Sequence, residues 1–178
     1  PLFALNTVEP NVILTLDDSG SMAWAYLPDS ISGLGGTSRF CSSEINHMYY
    51  NPAIVYSPGV DQTGTMMTDA SFTAARINPY NNADANVVNL STSYRPVLDV
   101  ENNNTTVPFN NAYASCNTAP LNTPQPAFYY TYTPSLAGTG GCPNPAVNTN
   151  DACYVYVAVS ATTAPAGVNG FTNFANWY

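Results

Sequence analysis

The chain has 178 residues, enough for one domain or for one domain carrying a large elaboration, with eleven acids, three cations (Arg39, Arg76, Arg95), no Lys and a formal net charge of −8. That balance excludes a phosphate-neutralising nucleic-acid surface, and the missing Lys excludes Schiff-base chemistry and a phosphate-loop lysine. Leu, Ile, Val and Phe make up only about a fifth of the residues, near the level at which order fails, so the 13 Tyr must supply much of the buried surface.

Pro1 to Pro10 reads as an extended lead-in, too short to fold alone and laid along the sheet or against a neighbour. Val12 to Leu16 is an apolar run that breaks into Asp17-Asp18-Ser19-Gly20-Ser21-Met22. This predicts a short buried strand of a parallel sheet and the loop at its C-terminal edge, where open α/β sheets bind ligands. Asp17, Ser19 and Ser21 put one carboxylate and two hydroxyls on a tight turn at Gly20. Such hard oxygen donors suit Mg²⁺, Mn²⁺ or Ca²⁺ rather than zinc. The plainer reading of the same residues is an ordinary turn closing a strand. Apolar strand, Asp-x-Ser-x-Ser and Met in this order resemble the metal-ion-dependent adhesion site of von Willebrand factor A domains. The resemblance implies that a Thr and an Asp from later loops complete the site, and no stretch of this chain matches them. Asp17, Ser19 and Ser21 are therefore a partial site, and Mg²⁺ or Ca²⁺ is expected only with ligands from outside this chain.

After Met22, Ala23 to Leu27 allows a turn or two of helix before Pro28, Gly33, Gly35 and Gly36 forbid continuation, and a large insertion follows. Its first block, Ile45 to Pro58, reads by itself as a Tyr/Pro loop packed on a small core. His47, the single histidine, has no nucleophile near it in sequence and reads as a packing or surface residue. Taken with the opening motif and its order in the chain, Tyr49-Tyr50-Asn51-Pro52-Ala53-Ile54-x-Tyr56-x-Pro58 resembles the N-terminal region of the PilC/PilY family of type IV pilus-associated adhesins and biogenesis factors. Asp61-Gln62-Thr63-Gly64-Thr65 is expected to be a surface turn, since no buried strand precedes it and Gln62 stands where an aspartyl-phosphate motif has lysine. Ala70 to Arg76 is expected to form a short helix ended by Asn78-Pro79.

Asn81 to Pro126 is mostly Asn, Thr, Pro and Ala, with sequons at Asn89, Asn103 and Asn104. The resemblance implies a bacterium, where N-glycosylation of these is not expected. Ala127 to Thr133 and Cys153 to Val159 are rich in aromatic and β-branched residues and predict an antiparallel strand pair. Tyr154 and Tyr156 fall on one face of the second strand and Val155, Val157 and Val159 on the other, so the valine face is expected to be buried. Exposed tyrosine ladders of this kind bind sugars or pack on a neighbouring subunit.

The four cysteines, even in number and without C-x-x-C metal spacing, read as two disulfides of an exported protein. Three pairings are possible. Cys142–Cys153, closing a short Pro/Asn-rich loop, is favoured, and by elimination Cys41–Cys116. The chain starts at Pro1 without Met, so a secretory leader is expected to have been removed, and nothing approaches the length of a transmembrane helix. The segment Gly170 to Tyr178 contains Asn173-Phe174-Ala175-Asn176-Trp177, which resembles the family segment opening the helix that returns the chain to the von Willebrand domain. Its aromatic end looks like an interrupted element.

The expected fold is α+β, β-rich and loop-rich. Residues 1–22 form the lead-in, first strand and metal loop of a von Willebrand A-like domain, 23–169 a disulfide-stapled insertion with the strand pair near 127–159, and 170–178 the start of the returning helix, the whole apparently truncated. No enzyme is expected, because Asp17-Asp18 is the sole carboxylate pair and adjacent side chains diverge on a strand. The resemblance implies an extracellular or cell-surface adhesin, exported through the periplasm. Its partners would be the remainder of a longer chain, pilus or filament subunits, and a host or surface receptor, with no nucleic acid and no membrane span. The alternative is a structural subunit or coat of an extracellular filament without metal-dependent binding.

Overall fold

The computed structural model describes residues 31, 34, 37–78, 80–94, 115–116, 119–120, 124–134, 142 and 150–178. In chain order their regular elements are a 3-10 turn Ser38–Cys41, strands β1 (Ala75–Arg76), β2 (Val87–Val88), β3 (Ser115–Cys116), β4 (Ala119–Pro120) and β5 (Phe128–Tyr132), a 3-10 turn Asp151–Cys153, strand β6 (Tyr154–Ala158) and helix α1 (Gly170–Trp177). The strands pair as three antiparallel couples, β1 with β2, β3 with β4 and β5 with β6. Among the described residues the protein is thus strand- and loop-rich with one α-helix.

The aromatic and β-branched run at 128–132 pairs with 154–158 in full register, Phe128 opposite Ala158 and Tyr132 opposite Tyr154. Single backbone bonds then tie this pair to the rest of the described chain. The Val159 amide donates to the Ala127 carbonyl, Ala127 to Leu90 and Leu90 to Phe72. Strand β5 is buried on both faces at Phe128, Tyr129 and Tyr130. Its Tyr129 ring meets Tyr50 edge-on at 5.2 Å, while Phe128, on the opposite face, meets Tyr94 at 5.8 Å.

Two sequence expectations are corrected. Neither face of β6 is uniformly buried: on the tyrosine face Tyr154 is buried but Tyr156 is 46% exposed, while on the valine face Val155 is 36% exposed, Val157 is half-buried and Val159, just past the strand, is fully buried. Cross-strand rings line the tyrosine face, with Tyr132 5.6 Å from Tyr154, Tyr130 5.5 Å from Tyr156 and Phe128 stacked on Tyr156 at 5.4 Å. Ala70 to Arg76 is not a helix either. Ser71 and Ala74 form a bridge around a turn and Ala75–Arg76 pairs with Val87–Val88. Ser71 and Thr73 hydroxyls lie 3.3 Å apart over that turn, and such residues favour turns over helix interiors.

Helix α1 follows a sharp approach. Asn169 sits in the left-handed region at φ 52°, and a Cβ on Gly170 would lie 2.5 Å from the Pro165 carbonyl oxygen, so only glycine starts the helix there. Phe171, Phe174 and Trp177 recur at three-residue spacing and turn one face inward. Phe174 is fully buried, with ring centroids 4.7 Å from Tyr50, 5.8 Å from Tyr94 and 5.1 Å from Trp177. Tyr49 and Tyr94 are buried beside it, the Tyr94 hydroxyl donating to that of Tyr49 at 3.1 Å. Burial pushes the ionisation of both well above the ordinary tyrosine range; the Tyr94 bond eases Tyr49 slightly, and the Tyr49 charge opposes that of Tyr94.

Disulfides join Cys41 to Cys116 and Cys142 to Cys153, each with Cα atoms 5.8 Å apart, and all four cysteines are buried. The second closes the β5–β6 connection, where the Tyr132 hydroxyl also donates to the Cys142 carbonyl. Asp151 links this region to the first disulfide. Its carboxylate accepts from the Ser38 and Arg39 amides at 2.8 and 3.2 Å and pairs with the Arg39 guanidinium at 3.5 Å, capping the turn that carries Cys41.

Sequence separations of 75 and 11 residues make the two bridges unequal. Removing Cys41–Cys116 by paired Ser substitution should cost about 4 kcal/mol and removing Cys142–Cys153 about 3 kcal/mol, read by urea denaturation. A second outcome concerns pH. A folded-state tyrosine range above the unfolded value of about 10 means that stability is complete below pH 10 and is lost as pH rises towards the folded range. Tyrosinate absorbance from Tyr49 and Tyr94 should therefore appear together with loss of near-ultraviolet circular dichroism, after the exposed tyrosines have titrated.

Candidate functional site

Asp17, Ser19 and Ser21 lie outside the described residues. Among the described residues no group of three His, Cys, Asp or Glu side chains is placed to hold a metal ion. His47 is exposed. The Asp61–Thr65 segment is an exposed turn closed on its own aspartate, whose Oδ1 accepts from the Thr63 hydroxyl at 2.6 Å and from the Thr63 and Thr65 amides at 2.8 and 3.0 Å. Those bonds, the Thr63 hydroxyl first, hold the Asp61 carboxyl below its usual range.

The structure instead builds a seam between α1 and the segment from Met48 to Ala70. That segment carries no regular strand or helix, so backbone groups not bonded within its own turns need partners from elsewhere. Asn173 is 2% exposed; its amide nitrogen donates to the Ile54 carbonyl at 2.8 Å and the Tyr50 hydroxyl at 3.3 Å, while its oxygen accepts from the Tyr56 amide at 2.6 Å. Binding a carbonyl and the amide two residues later, it imitates the peptide group of a neighbouring strand. One helical turn on, Asn176 donates to the Tyr56 carbonyl at 3.0 Å and to Asp69 Oδ1 at 2.9 Å, and accepts from the Ala70 amide at 2.8 Å. Both amides thereby use both of their N–H groups and their oxygen. Trp177 adds a bond from its indole nitrogen to the Met48 carbonyl at 3.1 Å.

The tyrosines of the same segment complete the seam. The Tyr50 hydroxyl donates to the Ala166 carbonyl at 3.3 Å, and the Ala166 amide donates to the Tyr129 hydroxyl at 3.2 Å. The Tyr56 hydroxyl accepts from the Asn51 amide at 3.1 Å, and its ring lies 5.8 Å from that of Tyr50. Tyr49-Tyr50-Asn51-Pro52-Ala53-Ile54 and Asn173-Phe174-Ala175-Asn176-Trp177, far apart in sequence, thus fold against each other. In the sequence Asn173 and Asn176 stand out only as part of the segment that carries the family resemblance. The available signal was a pair of amides three residues apart among aromatic residues on a helix, where polar side chains need built partners.

No protein-family model matches the chain, and no solved structure matches it. Among curated proteins it is 36% identical over 187 aligned positions to the type IV pilus biogenesis factor PilY1 of Pseudomonas aeruginosa strain UCBPP-PA14. It is 34% identical over 185 positions to PilY1 of strain PAO1 and 35% identical over 186 positions to PilY1 of strain PAK. Each alignment takes in all of this chain and 13–14% of the relative.

Asn173→Ala leaves the Ile54 carbonyl and the Tyr56 amide without partners and should lower stability by about 3 kcal/mol in urea titration. Asn173→Asp should cost as much, because a carboxylate cannot donate to Ile54, whereas Asn176→Ala, at a more open position, should cost less. Over its whole length, the chain is similar to a segment, about one seventh, of the type IV pilus biogenesis factors PilY1.

Proposed function

We propose that this chain is a stretch of an extracellular, pilus-associated protein of the PilC/PilY kind that acts in pilus biogenesis and adhesion as a binding module, not as an enzyme. The supporting observation is the match along the entire chain to proteins described as type IV pilus biogenesis factors. The seam adds to it, because two segments that carry the family resemblance are the two that pack together. In this reading residues 1–22 supply the first strand and metal loop of a von Willebrand A-like domain, 23–169 the insertion, and α1 the return. The protein lies on the cell surface after export through the periplasm, and its partners are the rest of a longer chain, pilus subunits and a surface receptor.

The donor set of the metal loop fits Mg²⁺ or Ca²⁺ in kind but not in number. One carboxylate and two hydroxyls are hard oxygen ligands, while these ions take six or more. Asp17, Ser19 and Ser21 would hold the ion on one side, and the other ligands come from outside this chain. The bound ion would supply a cationic contact for an acidic group on a receptor.

A second reading, a coat or structural subunit of a filament, is favoured by apolar side chains exposed around the Val60–Met66 bridge and the β1–β2 pair, Val60, Met66, Ile77, Tyr80 and Val87. Attachment assays on whole piliated cells separate the two. Under the first reading a chelator abolishes attachment, added divalent metal restores it, and Asp17→Ala removes the metal response. Filament assembly that depends on the chain but is indifferent to chelator and to Asp17→Ala would favour the second.

A further inference from the structure

The β5–β6 pair has one covered edge and one open edge. On the β5 side Tyr130 bridges Ser42 in parallel and the Tyr132 amide donates to Glu44 at 3.5 Å. On the β6 side no further strand is paired among the described residues. Bonded and non-bonded positions alternate along an antiparallel pair. The bonds from the Thr133 amide to the Cys153 carbonyl and from the Val159 amide to the Ala127 carbonyl set the phase. Val155 and Val157 therefore turn their backbone groups towards β5, and Tyr156 and Ala158 turn theirs away from it.

The Tyr154 amide, at the start of the strand, is used by the Asp151 carbonyl. The amides and carbonyls of Tyr156 and Ala158 have no partner among the described residues. Both residues are exposed, Tyr156 by 46%, so this edge faces solvent. Edges of this kind are ordinarily blocked by a lysine, a proline or a bulge. None of these is present: the chain has no Lys, Tyr154–Ala158 contains neither Pro nor a charged residue, and its register with β5 is unbroken.

Free donors and acceptors at strand spacing call for an extended strand, since main-chain bonds supply the affinity in strand addition. The pattern of β6 fits a second β6. With a two-fold axis through Val157, Tyr156 stands opposite Ala158 of the partner subunit, and each such pair exchanges both of its bonds. Every free group of Tyr156 and Ala158 is then used. The large ring lies beside a methyl group, Val157 meets its own copy, and no charge stands opposite a like charge. Asp151, just before the strand, is already paired with Arg39, so a charged peptide finds no countercharge along β6. We propose that β6 is a self-association edge, through which two copies of this chain join antiparallel about Val157 into one sheet in the order β5–β6–β6–β5. This goes beyond the adhesive reading and needs neither metal nor receptor. The net charge of −8 on each copy opposes association, so pairing should tighten as salt is raised.

Sedimentation equilibrium of the protein in its full natural length, over a range of concentration and salt, tests this together with amide hydrogen exchange. A monomer–dimer equilibrium that strengthens with salt is expected, with the Tyr156 and Ala158 amides protected only in the dimer. Ala158→Pro removes a donor that the fold does not use, at an edge position that tolerates proline, and should weaken the dimer roughly tenfold with the near-ultraviolet circular dichroism unchanged. Should that variant fail to fold, Ala158→Lys places a charge on the exposed edge and should weaken the dimer in the same way. The proposal is overturned if the protein stays monomeric throughout, or if a folded Ala158→Pro or Ala158→Lys protein dimerises as before. Protection of these amides in the monomer also overturns it, because another part of the same chain then covers the edge.

Discussion

Two asparagine side chains on one short helix hold the described part of this protein together. Residues 48–70 run beside α1 without forming a strand or helix, yet the backbone at Ile54, Tyr56 and Ala70 is partly buried against it, and an unpaired buried peptide group costs about 1–3 kcal/mol. Asn173 and Asn176 meet that demand by presenting amide groups at the spacing of a neighbouring strand. With the backbone satisfied, the rings beside them can pack. Phe174 reaches Tyr50 and Tyr94, Trp177 reaches Tyr49 and Tyr50, and Tyr129 of β5 closes on Tyr50 from the other side.

A core poor in aliphatic residues takes a particular form. Tyr brings large apolar area but also a hydroxyl that must be bonded when buried. Here the hydroxyls are used pairwise, Tyr94 to Tyr49, or as links to backbone, Tyr50 to Ala166 and Tyr129 from Ala166. Such a core is directional as well as apolar, so its members are less exchangeable than leucines would be. The two disulfides, with Asp151 bridging the turns that hold Cys41 and Cys153, tie the loops around it. Short strands and long connections are then sufficient, because hydrogen-bonded rings and covalent ties do what an extended sheet does elsewhere.

For function, the division of labour follows from this construction. A rigid seam positions a surface of loops, clefts and exposed apolar side chains, the arrangement from which binding sites are generally built. The similarity to PilY1 runs along this whole chain but takes in only about a seventh of those proteins.

Features governed by neighbours in sequence were legible in advance. Alternating Tyr, Thr and Val marked β5 and β6, and Asp61-Gln62-Thr63-Gly64-Thr65 carried its own turn because every bond that closes it lies within four residues. Which single residues of β6 are covered depends on what packs on each, and whether Ala70 to Arg76 would be helical was decided by pairing with Val87–Val88. Asn173 and Asn176 find their partners more than a hundred residues away, at Ile54, Tyr56 and Ala70, and no local pattern encodes such a partner. The sequence by itself determined the strand-forming runs, the local turns and the demand for a tyrosine core. Only the tertiary structure decided how that core is satisfied, since a buried hydroxyl or amide is stable only where distant backbone is brought within bonding distance.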